Sequence, residues 1–473
     1  MLLILSVALG LIQSTIAGKG DTIEQLKVGY GNIDLNHVHD KAEVVTLYGQ
    51  VPKGLNGTLI RQGCGVFGNS FDPLVEDQLD RINHVFDCIE LAQSFHFHDG
   101  QVSFTSRFYD TNRNDYFLNV HNQDMTNSSV FFGTVYANFS IDAIQDYNQW
   151  KSENEDATKL RNDHVYHVSW WLIGQDVLSN AEGTIGMQVD PHNVVDFMDY
   201  DMGGEWPEHD RLEFNPAHEA YDTNLGLIST IGLIKYNADK TEAETKRIVY
   251  TINQKEDGSN QRNYIAEIPY PNANLSLCEL GQAPDPNTWI RYLHTIASTD
   301  NYIIIPETSY LRNPCDLIIG WNGPGYSTVE YVEEVNGRFS VIDKKDPSKV
   351  TVLEADTHFF ITHKFNAFED DEGVIHVDVL NYDSSGPYTE FTYVQEAVFG
   401  GDIEGEELRR YSLDLSKKTV TYRKLHNLTE GDYVEFSNCN PDYAGKAYRY
   451  FINTVSQIKI HVKLFSFQIW ICR

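Results

Sequence analysis

The chain has 473 residues, 41% of them hydrophobic and 12% aromatic, ample for a globular core and inconsistent with wholesale disorder. Its 68 acidic residues against 36 basic ones give a formal net charge of −32. That charge argues against a nucleic-acid partner, whose phosphates need clustered Lys and Arg, and against electrostatic adhesion to an anionic membrane. An apolar small molecule is compatible with all of this.

In chain order, the apolar run Leu2 to Ile12 and the small-residue end Thr15-Ile16-Ala17 read as a signal peptide over residues 1–17. The run is too short to span a bilayer; a first β-strand or a surface anchor are the competing readings. A signal peptide would direct the protein to the secretory lumen or the exterior. Five glycosylation sequons agree, at Asn56, Asn127, Asn138, Asn274 and Asn427. Six cysteines, Cys64, Cys88, Cys278, Cys315, Cys439 and Cys472, are too few for a disulfide scaffold in so long a chain and lack zinc-site spacing. One or two bridges could form in an oxidising compartment, but the pairing cannot be read from the residues.

Beyond residue 40 the dominant pattern is the short strand. Glu43 to Tyr48, Val102 to Phe108, Tyr302 to Pro306, Val350 to Leu353 and Val374 to Leu380 alternate with turn signals such as His98-Asp-Gly and Glu334-Val-Asn-Gly. Strands at such intervals, without long amphipathic helices between them, favour an all-β propeller or large barrel. Thr241 to Lys246 and the stretch from Ala143 to Leu160 read as helical or loop insertions. Trp170-Trp171-Leu172 is a candidate apolar lip for peripheral membrane contact, with ordinary core as the plainer alternative.

Three histidines, His218, His294 and His363, lie in strand-like contexts separated by 75 and 68 residues, with Glu182 and Glu435 in similar segments. Neutral imidazoles backed by carboxylates suit a divalent transition metal. Each residue also has a bland reading: a structural histidine at a strand end or bonded to backbone, a His–Glu pair for His218 and Glu219, solvated carboxylates for the glutamates. With 17 histidines available, spacing alone does not select these three.

Sequence blocks do select them. Gly54 to Phe67, His84-Val-Phe-Asp and Phe95 to Phe108 resemble the opening of the carotenoid cleavage oxygenases, a family that includes the animal β-carotene oxygenases and the retinoid isomerohydrolase of the eye. Ala181-Glu182 and the residues to Pro191, Ala217-His218, Leu293-His294 with Asn301 to Thr308, His363-Lys-Phe-Asn-Ala-Phe-Glu369, Glu407-Leu-Arg-Arg-Tyr411, Glu435-Phe436 and Gly445 to Tyr450 follow in the family's order. The resemblance implies a seven-bladed β-propeller with Fe(2+) on its axis, residues 18–452 forming this domain. It implies His218, His294 and His363 as iron ligands, and Glu182 and Glu435 as carboxylates behind the ligand rings. Glu407, beside Arg409 and Arg410, is expected to be an ion-pair partner. The implied activity is O2-dependent cleavage of a carotenoid or apocarotenoid C=C bond to two carbonyl products. Retinyl ester isomerohydrolysis and non-catalytic carotenoid binding are the alternatives.

Three departures accompany the resemblance. The family's fourth histidine, in a Phe-His-Gly context, has no match; residues 453–473 read as a divergent tail and His461 falls in no motif, so the last blade is expected to be incomplete. Cys64 and Cys88 stand where the family has proline and glycine in tight turns. Either Cys88 strains a positive-φ turn, or the two cysteines pair with each other. Finally, the better-known animal relatives are cytosolic or membrane-associated, whereas this chain reads as lumenal or secreted.

Overall fold

The computed structural model describes residues 43–44, 49–66, 88–116, 149–154, 168–174, 176–180, 182, 186–191, 194, 197–200, 204–319, 329–384, 407–425, 432–459 and 462–471. The proposed signal peptide, three of the sequons, Cys472 and His461 lie outside them.

Six antiparallel sheets account for most of the described chain. Sheet I holds Glu43–Val44, Gly57–Val66, Ile89–His98 and Gln101–Phe108, and sheet II holds Ser169–Ile173, Asp176–Asn180, Gly186–Val189 and Phe197–Tyr200. Sheet III is built on Ala220–Asp222, Gly226–Tyr236, Glu242–Gln254 and Asn260–Pro269, with Arg211–Glu213 and Ala273–Asn274 attached. Sheet IV runs Ala297–Ser298, Tyr302–Glu307, Arg338–Asp343, Asp346–Glu354, and sheet V Phe360–Glu369, Ile375–Tyr382, Glu407–Asp414, Thr419–Lys424. Sheet VI has three strands, Asp432–Cys439, Tyr450–Lys459 and Val462–Ile471. A small extra sheet of Ile290–Arg291, Tyr310–Arg312 and Val329–Tyr331 flanks the start of sheet IV.

The first strands of sheets III, IV, V and VI lie side by side in that order, and the last strands of III, IV and V do the same. Sheets stacked in register from first strand to last are the blades of a β-propeller, which leaves only short, protected edges. Six blades are recognised among the described residues, of the seven that the sequence resemblance implies. The segment after Tyr450 forms a hairpin, pairing Tyr450 with Ile471 through to Lys459 with Val462.

Local sequence explains the strands. In Glu242–Gln254 the first residues alternate exposed and buried, with Ala243, Thr245 and Arg247 turned inward. That period of two makes a strand of Glu242 to Lys246, where an insertion over Thr241 to Lys246 was expected. The Ala143 to Leu160 stretch contains a helix over 149–154. No helix among the described residues is long and apolar enough to cross a membrane.

Adjacent blades share apolar layers. Phe339 of sheet IV, Phe359 at the entry to sheet V and Tyr411 of sheet V stack with ring centroids 5.0 to 5.4 Å apart, all three fully buried. Each such side chain contributes about 1.5–3 kcal/mol of burial free energy. Trp170 and Trp171 pack against the cores on the two faces of their strand, leaving Leu172 exposed.

Two disulfides staple the fold. Cys64 pairs with Cys88, joining neighbouring strands of sheet I, and Cys278 pairs with Cys315, joining two short helices. Cys88 is not among the described residues with positive φ, so the bridge, and not a strained turn, is what these substitutions produce. Cys439 is a buried free thiol.

Candidate metal centre

Three successive blades deliver one histidine each. His218 lies just ahead of the first strand of sheet III and His294 just ahead of that of sheet IV. Their backbones are joined directly: the His218 amide donates to the His294 carbonyl at 2.9 Å, and the Ile296 amide to the His218 carbonyl at 3.0 Å. His363 belongs to the first strand of sheet V, where the pairing slips between Ile361 and Lys364 and again before Asn366. Such bulges re-aim side chains, and they concentrate near functional sites.

The three ligand atoms lie within 4.8 Å of one another. His218 Nε2 and His363 Nε2 are 2.9 Å apart, and the ring centroids are separated by 4.6 to 5.1 Å. His294 Nδ1 contacts a Glu182 carboxylate oxygen at 2.8 Å and the Tyr292 hydroxyl at 2.8 Å, and Tyr292 also donates to Glu182. A proton on Nδ1, held by Glu182, presents the Nε2 lone pair to a cation.

Burial and nearby charge keep two of the rings, His218 and His294, neutral. Burial, and then the nearby His363 and Lys364, hold His218 well below the usual imidazole range; burial and the two other histidines do the same to His294. Burial pushes Glu182 up to about 8, with the Tyr292 hydrogen bond and the Arg312 charge pulling against it. Neutral imidazoles are the form that ligates a metal. Three imidazoles are donors that suit a first-row divalent ion, with the His218 and His363 nitrogens 2.9 Å apart inside a set that spans up to 4.8 Å.

The sequence-selected residues thus fall into three groups. His218, His294, His363 and Glu182 are brought together. Glu435 lies on the first strand of sheet VI, beside that of sheet V, opposite Thr454 and at a second slip in pairing. Glu407 is an ion-pair partner as expected, accepting from Arg409 Nε at 2.5 Å, while Arg410 pairs with Asp378. Sequence reading missed Tyr292, although its place two residues before His294 in an extended segment puts it on the same side. It also missed the buried cluster beneath His218. There Asn180 donates to Glu219, burial pushes the Glu219 carboxyl up to about 8, and Lys364 Nζ donates to the Glu219 backbone carbonyl at 3.3 Å.

Known proteins resemble this chain in sequence and in fold. The profile of the retinal pigment epithelial membrane protein family matches residues 35–466. The mitochondrial carotenoid-cleaving dioxygenase of Mustela putorius furo is 23% identical over 469 residues, covering 88% of this chain and 78% of that protein. The β,β-carotene 15,15'-dioxygenase of Gallus gallus is 22% identical over 451 residues, with the same two coverages, 88% and 78%. Among solved structures, a variant of the Synechocystis apocarotenoid oxygenase superposes with a TM-score of 0.63 at 17% identity, over 96% of this chain and 85% of that one. The chain belongs to the retinal pigment epithelial membrane protein family, the carotenoid cleavage oxygenases.

Proposed function

We propose that this protein is an iron(II)-dependent dioxygenase that cleaves a C=C bond of a carotenoid or apocarotenoid to two carbonyl products. The observation that carries this reading is the convergence of His218, His294 and His363 from three blades, with Glu182 behind His294. In this reading the three imidazoles hold Fe(2+), and Glu182 and Glu435 fix ring orientation and raise ligand basicity. Iron, when bound, supplies the O2 chemistry. The chain's own residues do the rest. Burial keeps His218 and His294 unprotonated, so the donor set stays available at neutral pH. Tyr292 and Glu182 prevent the His294 ring from turning its ligating edge away. The apolar character of the carotenoid suits an acidic protein that repels nucleic acid and anionic surfaces.

The test is iron content per chain on anaerobically purified protein, beside His294→Ala, followed by incubation with β-carotene and an apocarotenoid under air. Near-stoichiometric iron that falls in the variant, with carbonyl products from the wild-type protein, is the expected result. Iron-loaded protein that returns its polyene intact would overturn the dioxygenase reading. Iron near zero in both proteins would overturn the metal assignment itself.

A further inference from the structure

We infer that Asn274 carries an N-linked glycan in a disulfide-stapled, lumenal or secreted form of this protein. Two independent features point to it. The first is local. In Asn274-Leu275-Ser276 the asparagine and serine are exposed while Leu275 is buried, so the apolar residue of the sequon anchors the segment and its two reactive side chains face solvent. The Asn274 side-chain oxygen accepts from the Ser276 amide at 3.2 Å. This Asx turn brings the amide of Asn274 toward the Ser276 side of the sequon and presents both outward. The Asn56 sequon is built differently: its Thr58 hydroxyl sits in a strand and contacts His96 Nδ1 at 3.0 Å.

The second feature is redox chemistry remote from the metal centre. Cys278, four residues after Asn274, is bridged to Cys315, and Cys64 to Cys88, with Cα separations of 5.3 and 5.4 Å. Disulfides of this structural kind persist where glutathione and thioredoxin do not keep thiols reduced, the same compartments in which N-glycans are attached. The bridge fixes the helix Ser276–Glu279, which begins at the sequon's serine, so the turn is presented in one orientation.

Position in the blade makes a large substituent tolerable. Ala273–Asn274 pairs with Ala243 and Glu242 at the last edge of sheet III, across the sheet from Ala220–Asp222 and His218. A glycan there leaves the candidate metal centre clear and shields a sheet edge from pairing with other chains. In the covalent step Asn274 Nδ2 forms a bond to C1 of an oligosaccharide. The C1–O bond to a lipid pyrophosphate carrier breaks, the pyrophosphate leaves with the electron pair, and the amide proton passes to a base of the transferring enzyme.

The experiment expresses the full chain in a eukaryotic secretory host and maps peptides before and after peptide N-glycosidase, without reduction. The expected result is conversion of residue 274 to Asp by the glycosidase, loss of one glycan in Asn274→Gln and in Ser276→Ala, and its retention in Ser276→Thr. A Cys278–Cys315 linked peptide should appear in the same map. An unmodified Asn274 peptide from wild type and from Ser276→Thr, which keeps the sequon even if the other variants fold poorly, would overturn the glycan. Full alkylation of Cys278 and Cys315 in denatured, unreduced protein would overturn the compartment. Neither result bears on iron binding, so failure here is distinct from failure of the oxygenase reading.

Discussion

Glu182 and Tyr292 both hold Nδ1 of His294, and outer partners of this kind set the metal affinity of the ring they orient. Glu182→Ala is expected to lower iron affinity by about 10- to 100-fold, read by competition with a chelator while far-UV circular dichroism stays unchanged. An affinity equal to wild type would remove Glu182 from the centre. A second residue-scale case is Asp378. It is fully buried and accepts from Arg410 Nε at 2.6 Å, Arg410 Nη2 at 2.7 Å and the Tyr448 hydroxyl at 2.5 Å. Asp378→Ala takes a bidentate carboxylate away from a buried guanidinium and should cost about 3–5 kcal/mol, seen as a lower urea midpoint. At this scale the sequence showed what is local or motif-borne. The three histidines and Glu182 were legible through their blocks, and the Cys64–Cys88 bridge through two coincident substitutions. Cys278–Cys315 was not, because its partners come together only through the packing of two helices 37 residues apart. Glu219 was legible only as a neighbour of His218, and its bond to Asn180 from another sheet was not.

Strands were visible as elements, but their irregularities were not. The slip at His363 decides which way its side chain points, the pairing slips again after Glu435, and alternation of residue types is blind to a one-residue bulge. The block from His363 to Glu369 shows what the motif does as an element. Asn366 accepts from the Gly445 amide at 2.9 Å and donates to the Tyr443 and Lys446 carbonyls, both at 2.9 Å. Glu369 holds Thr299 Oγ1 at 2.7 Å and the Asn301 amide at 3.0 Å in the previous sheet. One strand thereby fastens both of its neighbours while presenting a histidine. Close packing between elements gives a further prediction at Gly337, where a Cβ would stand 2.2 Å from a ring carbon of buried Phe359. Gly337→Ala should destabilise by about 1–3 kcal/mol through overpacking, lowering the thermal midpoint. A midpoint at or above wild type would show that the Phe359 ring can yield.

Across the whole molecule, blades are tied by buried charges as well as by apolar layers. Glu307 of sheet IV accepts from Arg338 Nε at 2.8 Å and Ser340 Oγ at 2.8 Å, and takes the Tyr270 hydroxyl that follows sheet III. Burial alone would raise this carboxyl, but Arg338, with Arg247 and Arg291, brings it down from 4.5 to about 2. A folded pKa below the unfolded one gives stability that is fully present above the unfolded value and is lost as pH falls through the folded one. Acid titration should therefore show stability declining from about pH 4.5 toward pH 2, and Glu307→Gln, though less stable at neutral pH, should show a shallower decline. An unchanged slope would place the acid sensitivity elsewhere. The direct backbone link between His218 and His294, with His363 on the next blade, has a consequence for biogenesis. No partly folded chain owns the full set of imidazoles, since each belongs to a different sheet and they meet only when three sheets have docked. In the proposed reading, cofactor capture would be an assembly checkpoint, because the full donor set for the ion exists only in molecules whose three blades have docked.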